Sequence, residues 1–291
     1  MKGILLAGGS GSRLYPMTRV TSKQLLPVYD KPMIYYPLST LMMFDIKDIL
    51  IISTPEDLPR IEKLLGDGAR LGLSLQYKVQ EKPNGIAEAF ILGEEFINGE
   101  PVCLILGDNI FYMSNFTGYR EQVLAGAAAE RATIFTYRVT DPGRYGIVEF
   151  DRDLNVLSIE EKPKQPKSNY ASVGLYFYPG DASCKAKTMK PSARGELEIP
   201  DLSNIYLSEG RLSVAFMGRG NVWIDAGTPD SLVEAGLWAQ MVEKRQGTKV
   251  ACIEEIAFRR KFITREEFKA IIDELKSDID YRKYLMSVYD E

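Results

Sequence analysis

The sequence predicts an α/β fold in which a mainly parallel, mixed sheet is flanked by helices and followed by a helical C-terminal region. Short apolar runs alternate with segments of helical period up to residue 106, strand-like runs then follow one another with turns between them, and the chain after Trp223 is mostly helical in pattern. The 291 residues, 45% hydrophobic and 26% charged, suffice for one large core with an appendage. We expect a core over residues 1–228 and a helical region over 229–291 packed on it.

The predicted elements alternate regularly in the first half of the chain. Strands are predicted over residues 3–7, 49–53, 75–79 and 102–106. Helices are predicted between them over residues 35–44, 59–65 and 87–97. This alternation is typical of βαβ units, whose ligands bind at the carboxyl ends of parallel strands.

The second half has a different pattern. Four strand-like runs predict an antiparallel or mixed extension of the sheet, over residues 132–139, 146–150, 156–160 and 173–178. Helical periods follow over residues 230–245, 253–261, 265–275 and 279–289. No Gly/Ser-rich linker or low-complexity stretch precedes these helices. The helical tail is therefore expected to pack on the core instead of forming a separate, tethered unit.

Composition excludes several classes of function. A net charge of -4 gives no electrostatic footprint for nucleic acid, so we expect no nucleic-acid partner. No apolar run approaches the roughly 18 residues of a membrane span, so no membrane association is expected. The three cysteines, Cys103, Cys184 and Cys252, are scattered and form no CxxC pair, which favours a reducing, cytoplasmic location.

The chain contains no histidine. A histidine general base, a Ser-His-Asp triad and a histidine-ligated transition metal are therefore excluded. Carboxylates and backbone oxygens remain as metal ligands, and they suit a hard cation such as Mg2+.

A glycine-rich segment follows the first predicted strand. Gly8, Gly9 and Gly11 allow positive φ and close backbone approach, so that successive N–H groups can surround an anion. A tight turn would explain one or two glycines but not Arg13 directly after them. The segment does not match GxGxxG, because Leu14 occupies the place of a small residue, and it does not match a P-loop.

Several charged residues also follow predicted strands. Asp108 and Asp225 could share one Mg2+ with phosphate oxygens, although an Asp after a strand is often a turn or helix cap. Arg13 and Lys23 could neutralise the terminal phosphates of a nucleotide, or could be solvated surface groups. Lys162 comes at the end of another strand, where a surface ion pair is the alternative.

Eight sequence blocks, taken in order along the chain, resemble those of the sugar nucleotidyltransferases, and in particular the glucose-1-phosphate thymidylyltransferase group. The blocks are GGSGSRLYP (8–16), KQLLPVYDKPMI (23–34), QEKPNGIAEA (80–89), LGDNIF (106–111), DPGRYGI (141–147), IEEKP (159–163), RGELEI (194–199) and WIDAGT (223–228). The resemblance implies a Rossmann-like nucleotidyltransferase fold. It also implies transfer of a thymidylyl group from dTTP to glucose 1-phosphate with Mg2+ as cofactor, giving dTDP-glucose and pyrophosphate, the first step towards dTDP-sugars such as dTDP-rhamnose.

The resemblance also implies roles for individual residues. The nucleotide would be bound by Leu6, Gly8, Gly9, Gly11, Ser12, Arg13, Gln24, Gln80, Gly85 and Asp108. The sugar phosphate would be bound by Tyr145, Gly146, Glu161, Lys162 and Val173, with Gly174 beside them. Asp108 and Asp225 would hold the metal, and Arg13, Lys23 and Lys162 would stabilise the transition state.

A second, regulatory nucleotide site and a homotetramer are further implications of the resemblance. The site would take a dTDP-sugar as feedback ligand and would use Gly218, Arg219, Glu255, Ile256 and Arg259. These residues could instead simply pack the helical tail. Two other functions stay open at this point: the same chemistry with UTP or CTP and another sugar 1-phosphate, and a non-catalytic sensor of nucleotide sugars.

The absence of histidine is compatible with this chemistry. A phosphate monoester has a second pKa of about 6, so at neutral pH a sugar 1-phosphate is largely a dianion and already a nucleophile. In-line attack on the α-phosphorus therefore requires no side chain to remove a proton. The protein needs only to bring two polyanions together and to stabilise the charge of the transition state.

Overall fold

The computed structural model describes residues 1–9 and 11–291. Its strands are β1 (Lys2–Leu6), β2 (Pro27–Val28), β3 (Lys31–Pro32), β4 (Asp48–Ser53), β5 (Ser74–Val79), β6 (Val102–Leu106), β7 (Asn109–Tyr112), β8 (Ala132–Arg138), β9 (Gly146–Phe150), β10 (Val156–Glu161), β11 (Tyr170–Tyr178), β12 (Leu212–Met217) and β13 (Val222–Asp225). Its helices are α1 (Tyr35–Met43), α2 (Leu58–Leu65), α3 (Glu88–Leu92), α4 (Glu94–Ile97), α5 (Phe116–Ala128), α6 (Ala182–Thr188), α7 (Ile199–Ser208), α8 (Pro229–Gln246), α9 (Ile253–Arg259), α10 (Arg265–Asp273) and α11 (Asp280–Asp290).

The main sheet combines a parallel part with an antiparallel part, as predicted. Its order is β10-β9-β11-β6-β1-β4-β5, with β8 also paired to β11 and β12 paired to β8. Strand β1 is parallel to β4 and β6, and β4 is parallel to β5. Strand β11 is antiparallel to β6, β8 and β9. The predicted mixed α/β fold is thereby confirmed.

The core lies on both faces of this sheet. In β1, Ile4 and Leu6 belong to one buried cluster while Leu5 belongs to the other, because successive side chains point to opposite faces. A strand covered by helices on both sides needs a continuous apolar run, which explains the sequence KGILL. No helix in the described part of the chain is long and apolar enough to cross a membrane.

Some elements differ from the prediction. The single helix expected over residues 87–97 is divided into α3 and α4 at Gly93, a residue of low helix propensity. Helices α5, α6 and α7 and strands β7 and β12 were not predicted. In α5 the apolar positions do not form one clear stripe, and Gly118 and Gly126 interrupt the helical pattern.

The C-terminal helices lie against the core and are joined to it by buried ion pairs. Lys31, which is almost fully buried, donates to Glu243 of α8 at 2.9 Å and also pairs with Asp30. Lys249 pairs with the same two carboxylates, and the backbone N–H of Val250 donates to Glu243 at 3.0 Å. The network therefore connects the β2–β3 hairpin with the last turn of α8 and with the segment that follows it.

Candidate active site

A cavity of about 620 Å³ lies at the carboxyl ends of β1, β5 and β6 and continues towards β9, β10 and β13. Most residues predicted for substrate and metal binding line this one cavity: Leu6, Gly8, Gly9, Arg13, Lys23, Gln80, Gly85, Asp108, Tyr145, Gly146, Glu161, Lys162 and Asp225. They come from distant parts of the chain and are brought together by the order of the strands. This position is the one at which parallel α/β sheets bind their ligands.

The glycine loop forms one wall of the cavity. Gly9 has φ of +93°, which places it in a region that favours glycine. Gln24 is buried behind the loop, where its side-chain amide donates to the carbonyl oxygen of Gly8 at 3.2 Å. The loop is thus supported from below, and its open side faces Lys23 and the cavity.

Asp108 lies beyond the end of β6 and is held by two donors. Lys23 donates to one carboxylate oxygen, and the side-chain amide of Asn109 donates to the other at 3.0 Å. Burial by itself would raise the pKa of Asp108, but the charge and the hydrogen bond of Lys23, together with Asn109, lower it below its usual range. Asp108 is therefore an ionised carboxylate beside an ammonium group in the cavity.

Asp225 ends β13 and lies beside the guanidinium group of Arg13. The backbone N–H of Gly227 donates to Asp225 at 3.1 Å. A Cβ at Gly227 would be 2.6 Å from Arg13 Nη2 and 2.8 Å from Asp225 Oδ1, so a larger residue there would displace one or both of these side chains. Burial and the negative charge of Asp108 raise the pKa of Asp225, and Arg13 and Lys23 partly offset this effect.

The two aspartates have the chemistry of a Mg2+ site. The described residues contain no cluster of three or more Asp, Glu, Cys or His side chains placed to hold a metal. Two carboxylates in a cavity with Lys23 and Arg13 would leave the remaining coordination positions to phosphate oxygens and water. This arrangement is the usual one for Mg2+ bound together with a nucleotide.

Asn109 connects the parts of the site, and the sequence interpretation missed it. Its side-chain oxygen accepts from Trp223 Nε1 at 2.7 Å and from the backbone N–H of Gly174 at 3.2 Å, while its amide donates to Asp108. In the β7–β13 pair Asn109 is opposite Asp225. The only sequence signal was its place directly after Asp108.

The other side of the cavity carries the residues predicted for the sugar phosphate. The backbone N–H of Lys162 donates to the carbonyl of Tyr145 at 3.0 Å, and Lys162 Nζ lies 3.2 Å from Glu161. Arg194, which was not predicted, pairs with Glu161 at 3.4 Å and also with Glu196 and Glu198. Burial raises the pKa of Glu161, although Lys162 and Arg194 act in the opposite direction.

Four predicted substrate contacts do not line the cavity. The side chain of Val173 does not line the cavity: it is fully buried in the core, because Ser172, Gly174 and Tyr176 are the residues of β11 that face the cavity. Gln24 supports the glycine loop from behind. Gly11 and Ser12 begin a 3-10 turn, and Ser12 is exposed at the surface.

The five residues predicted for a regulatory site are not brought together in one cavity. Only Ile256 lines a second cavity, of about 190 Å³, between α1, β7 and the segment after α8. Arg259 donates to Glu255 at 2.8 Å and also pairs with Glu291, and Tyr284 donates to Glu255. Arg219 is exposed and Gly218 lies beside it in the turn before β13. These contacts are those of a packed helical tail.

Comparison with known proteins agrees with the fold. The model of the family described as nucleotidyl transferase matches residues 2–240. Glucose-1-phosphate thymidylyltransferase of Neisseria gonorrhoeae is 56% identical over 286 residues, 98% of each chain, and that of Mycobacterium tuberculosis is 51% identical over 269 residues, 92% of each chain. The fold is thus that of a nucleotidyl transferase.

Solved structures also show similarity to the nucleotidyl transferase fold. A Bacillus anthracis structure described as a glucose-1-phosphate thymidylyltransferase, in complex with a sucrose, has a TM-score of 0.76 at 44% identity and covers 82% of this chain and 95% of that one. A UDP-glucose pyrophosphorylase complexed with UDP-glucose, at 20% identity and a TM-score of 0.70, shares the fold over 83% of this chain and 98% of its own. The chain belongs to the nucleotidyl transferase family, among the glucose-1-phosphate thymidylyltransferases.

Proposed function

We propose that the protein transfers a thymidylyl group from dTTP to glucose 1-phosphate, releasing pyrophosphate, as the first step towards dTDP-sugars. One observation carries this proposal. Asp108 and Asp225, with Lys23 and Arg13 beside them, share a single cavity with Lys162. A sensor of nucleotide sugars would need contacts to its ligand, but would have no use for cations that stabilise a leaving pyrophosphate.

The cationic side chains of the cavity fall into two groups, one for each phosphate-bearing substrate. Arg13 and Lys23, at the glycine loop, are suited to the terminal phosphates of dTTP, and Lys162 is suited to the phosphate of the sugar. Mg2+, bound by Asp108 and Asp225, would supply further neutralisation of the phosphate oxygens. The sugar phosphate is a dianion at neutral pH, so the chain needs no general base, which is consistent with the absence of histidine.

The base is proposed to lie in the part of the cavity between Gln80 and Gly85. A Cβ at Gly85 would lie 2.4 Å from both the backbone N and O of Leu197, and Gly85 has φ of +107°. Only glycine fits this position, and backbone hydrogen bonds of Asn84 and Ala87 to Leu197 hold the loop on either side of it. The amide of Gln80 offers one donor group and one acceptor, which the edge of a pyrimidine requires.

The first experiment measures pyrophosphate release with glucose 1-phosphate and Mg2+, offering dTTP, UTP, CTP, ATP and GTP separately. Release that is strongest with dTTP and is abolished by EDTA is expected. Stronger release with UTP or CTP would assign the same chemistry to a different nucleotide. No release with any nucleotide, from folded protein that binds dTTP, would favour the sensor.

We also propose that the protein is a homotetramer and that α8 supplies one of its two-fold contacts. Val233, Leu237 and Met241 are each about 60% exposed and lie four residues apart, so they form one apolar stripe on α8. A second α8 packed antiparallel about Leu237 would place Asp230 against Lys244, and Val233 against Met241. The surface is thus complementary to itself, as a two-fold contact requires.

Light scattering after size exclusion tests this assembly. The native chain is expected at the mass of four copies, and Leu237→Asp at half that mass or less. An unchanged mass for Leu237→Asp would exclude α8 as a contact.

The cavity of about 190 Å³ at Ile256 is the candidate for the second nucleotide site. Its walls include Phe111 and Tyr112 of β7, against which part of a nucleotide could pack, and Lys249, which also pairs with Asp30 and Glu243. Inhibition by a dTDP-sugar that is noncompetitive with dTTP, and weaker in Ile256→Ala, is expected. Purely competitive inhibition would contradict this site.

A further inference from the structure

Glu88, which no motif singled out, contacts the side chain proposed to recognise the base. The amide nitrogen of Gln80 donates to Glu88 Oε2 at 2.7 Å, and the amide of Asn84 donates to Glu88 Oε1 at 2.8 Å. Gln80 is buried, and its backbone N–H donates to Ser53 at 2.8 Å. Both oxygens of Glu88 are thus engaged, and Gln80 is fixed at its backbone and its side chain.

This contact determines the orientation of the Gln80 amide. An ionised carboxylate only accepts hydrogen bonds, so the nitrogen of the amide must face Glu88 and the oxygen must point away from it. The oxygen of Gln80 lies 3.1 Å from the point that a Cβ on Gly8 would occupy, at the glycine loop. The amide therefore presents an acceptor at the wall of the cavity.

We infer that Glu88 is a positioning residue that makes the site select thymine and uracil over cytosine, by preventing the amide of Gln80 from turning over. N3 of thymine and uracil carries a hydrogen and can donate to the Gln80 oxygen, whereas N3 of cytosine is an acceptor. The exocyclic group at C4 is likewise an acceptor in thymine and a donor in cytosine. The inference rests on the proposed function, in which Gln80 contacts the base.

The surrounding loop cannot easily move to accommodate the wrong base. The backbone N–H of Leu197 donates to Asn84 at 2.7 Å, and that of Ala87 donates to Leu197 at 3.1 Å. Asn84, which holds the second oxygen of Glu88, is thus itself fixed to another segment. If the amide keeps one orientation, cytosine leaves buried polar groups unpaired, which weakens its binding relative to thymine.

Glu88→Gln tests the inference, because a glutamine at this position can donate as well as accept and so permits both orientations of Gln80. We expect the ratio of kcat/KM for dTTP to that for dCTP to fall roughly 10-fold, which corresponds to about 1.4 kcal/mol. The ratio of dTTP to dUTP should not change, since thymine and uracil share the same hydrogen-bonding edge. Glu81→Gln, an exposed neighbour with the same change of charge, should leave both ratios as they are.

A merely structural role for Glu88 would give a different result. Equal losses of kcat/KM with dTTP and dCTP, or an unchanged ratio, would overturn the inference while dTTP turnover by the native chain still supported the proposed function. If the native chain turned over no nucleotide, that function would fail. In that case the affinities of the native chain and of Glu88→Gln for dTDP and dCDP, measured by calorimetry, would test the inference. A smaller difference between the two affinities in Glu88→Gln than in the native chain supports the inference, and an unchanged difference overturns it.

Discussion

The main cavity and the C-terminal tail both contain dense groups of charged residues, but the two groups are arranged differently. In the cavity, Lys23 and Lys162 each pair with a carboxylate and still face open space. In the tail, Glu255 accepts from both Arg259 and Tyr284. Charges that retain a free side towards a cavity are available to a ligand, whereas charges enclosed by other side chains hold helices together.

The largest expected effect comes from removing a charge in the cavity. Asp108→Asn keeps the shape of the side chain but removes a proposed metal ligand and the partner of Lys23. We expect kcat/KM to fall roughly 1000-fold, or about 4 kcal/mol, because the metal neutralises several phosphate oxygens at once. Pyrophosphate release gives the rate, and Asp278→Asn, at an exposed position, is the control. A loss of less than 10-fold would contradict the metal assignment.

Lys162→Ala tests the sugar side of the same cavity. One cation would be lost from the transition state, so kcat/KM should fall by at least roughly 100-fold, about 3 kcal/mol. The folded structure should be retained, because the side chain of Lys162 is partly exposed and makes its ion pair at the cavity wall. Lys164→Ala, two residues away and exposed, should have normal turnover. Near-normal turnover of Lys162→Ala would remove that residue from the mechanism.

Lys31→Met tests whether the ion-pair network of Lys31, Glu243 and Lys249 only stabilises the packing of the tail or also affects turnover in the cavity. The change leaves Glu243 buried with only Lys249 as a cationic partner, and an uncompensated buried charge is costly. The free energy of unfolding, measured by urea denaturation, should fall by about 2 kcal/mol, with kcat of the folded fraction unchanged. Lys276→Met, an exposed position, should leave it unchanged. A loss of turnover without a loss of stability would show that the network acts on the cavity.

Arg259→Ala has the smallest expected effect. Arg259 is about half exposed in its pairs with Glu255 and Glu291, and such pairs contribute about 0 to 1 kcal/mol. Turnover without any dTDP-sugar present should stay within roughly twofold, and the melting temperature should change little. A large fall in kcat would mean that the tail takes part in the reaction. The charges of the tail would then not serve only to hold its helices together.

The cavity could be predicted more fully than the tail because its residues occur in short blocks beside strand ends. Gly9, Arg13 and Asp108 follow β1 and β6, and parallel strands bring such positions to one edge of the sheet. Asn109 and Arg194 were missed, since the contacts that join them to the rest of the site are with residues far away in sequence: Trp223 and Gly174 for Asn109, and Glu161 for Arg194. The exact partners depend on tertiary packing, which no local pattern records.

The tail also shows that tertiary contacts cannot be predicted from local sequence. Its helices were predicted well, because α10 and α11 have clear apolar periods, and Thr228 and Thr264 are typical capping residues at the starts of α8 and α10. The contacts between them were not predictable: Glu255 meets Tyr284 only because α9 and α11 pack together. Local sequence specifies a helix, but a site built from several helices depends on how their faces meet.

Strand β11 has a consequence for protein engineering. Ser172, Gly174 and Tyr176 line the cavity, while the side chains at positions 173, 175 and 177 belong to one buried cluster and that of Tyr176 also packs in the other. A substitution at Ser172 therefore reshapes the cavity from a strand whose other side chains anchor the fold. Gly174 does not offer this freedom, because a Cβ there would lie 2.5 Å from Asn109. A mutant library aimed at new sugar substrates should vary Ser172 in this strand and leave the other positions as they are.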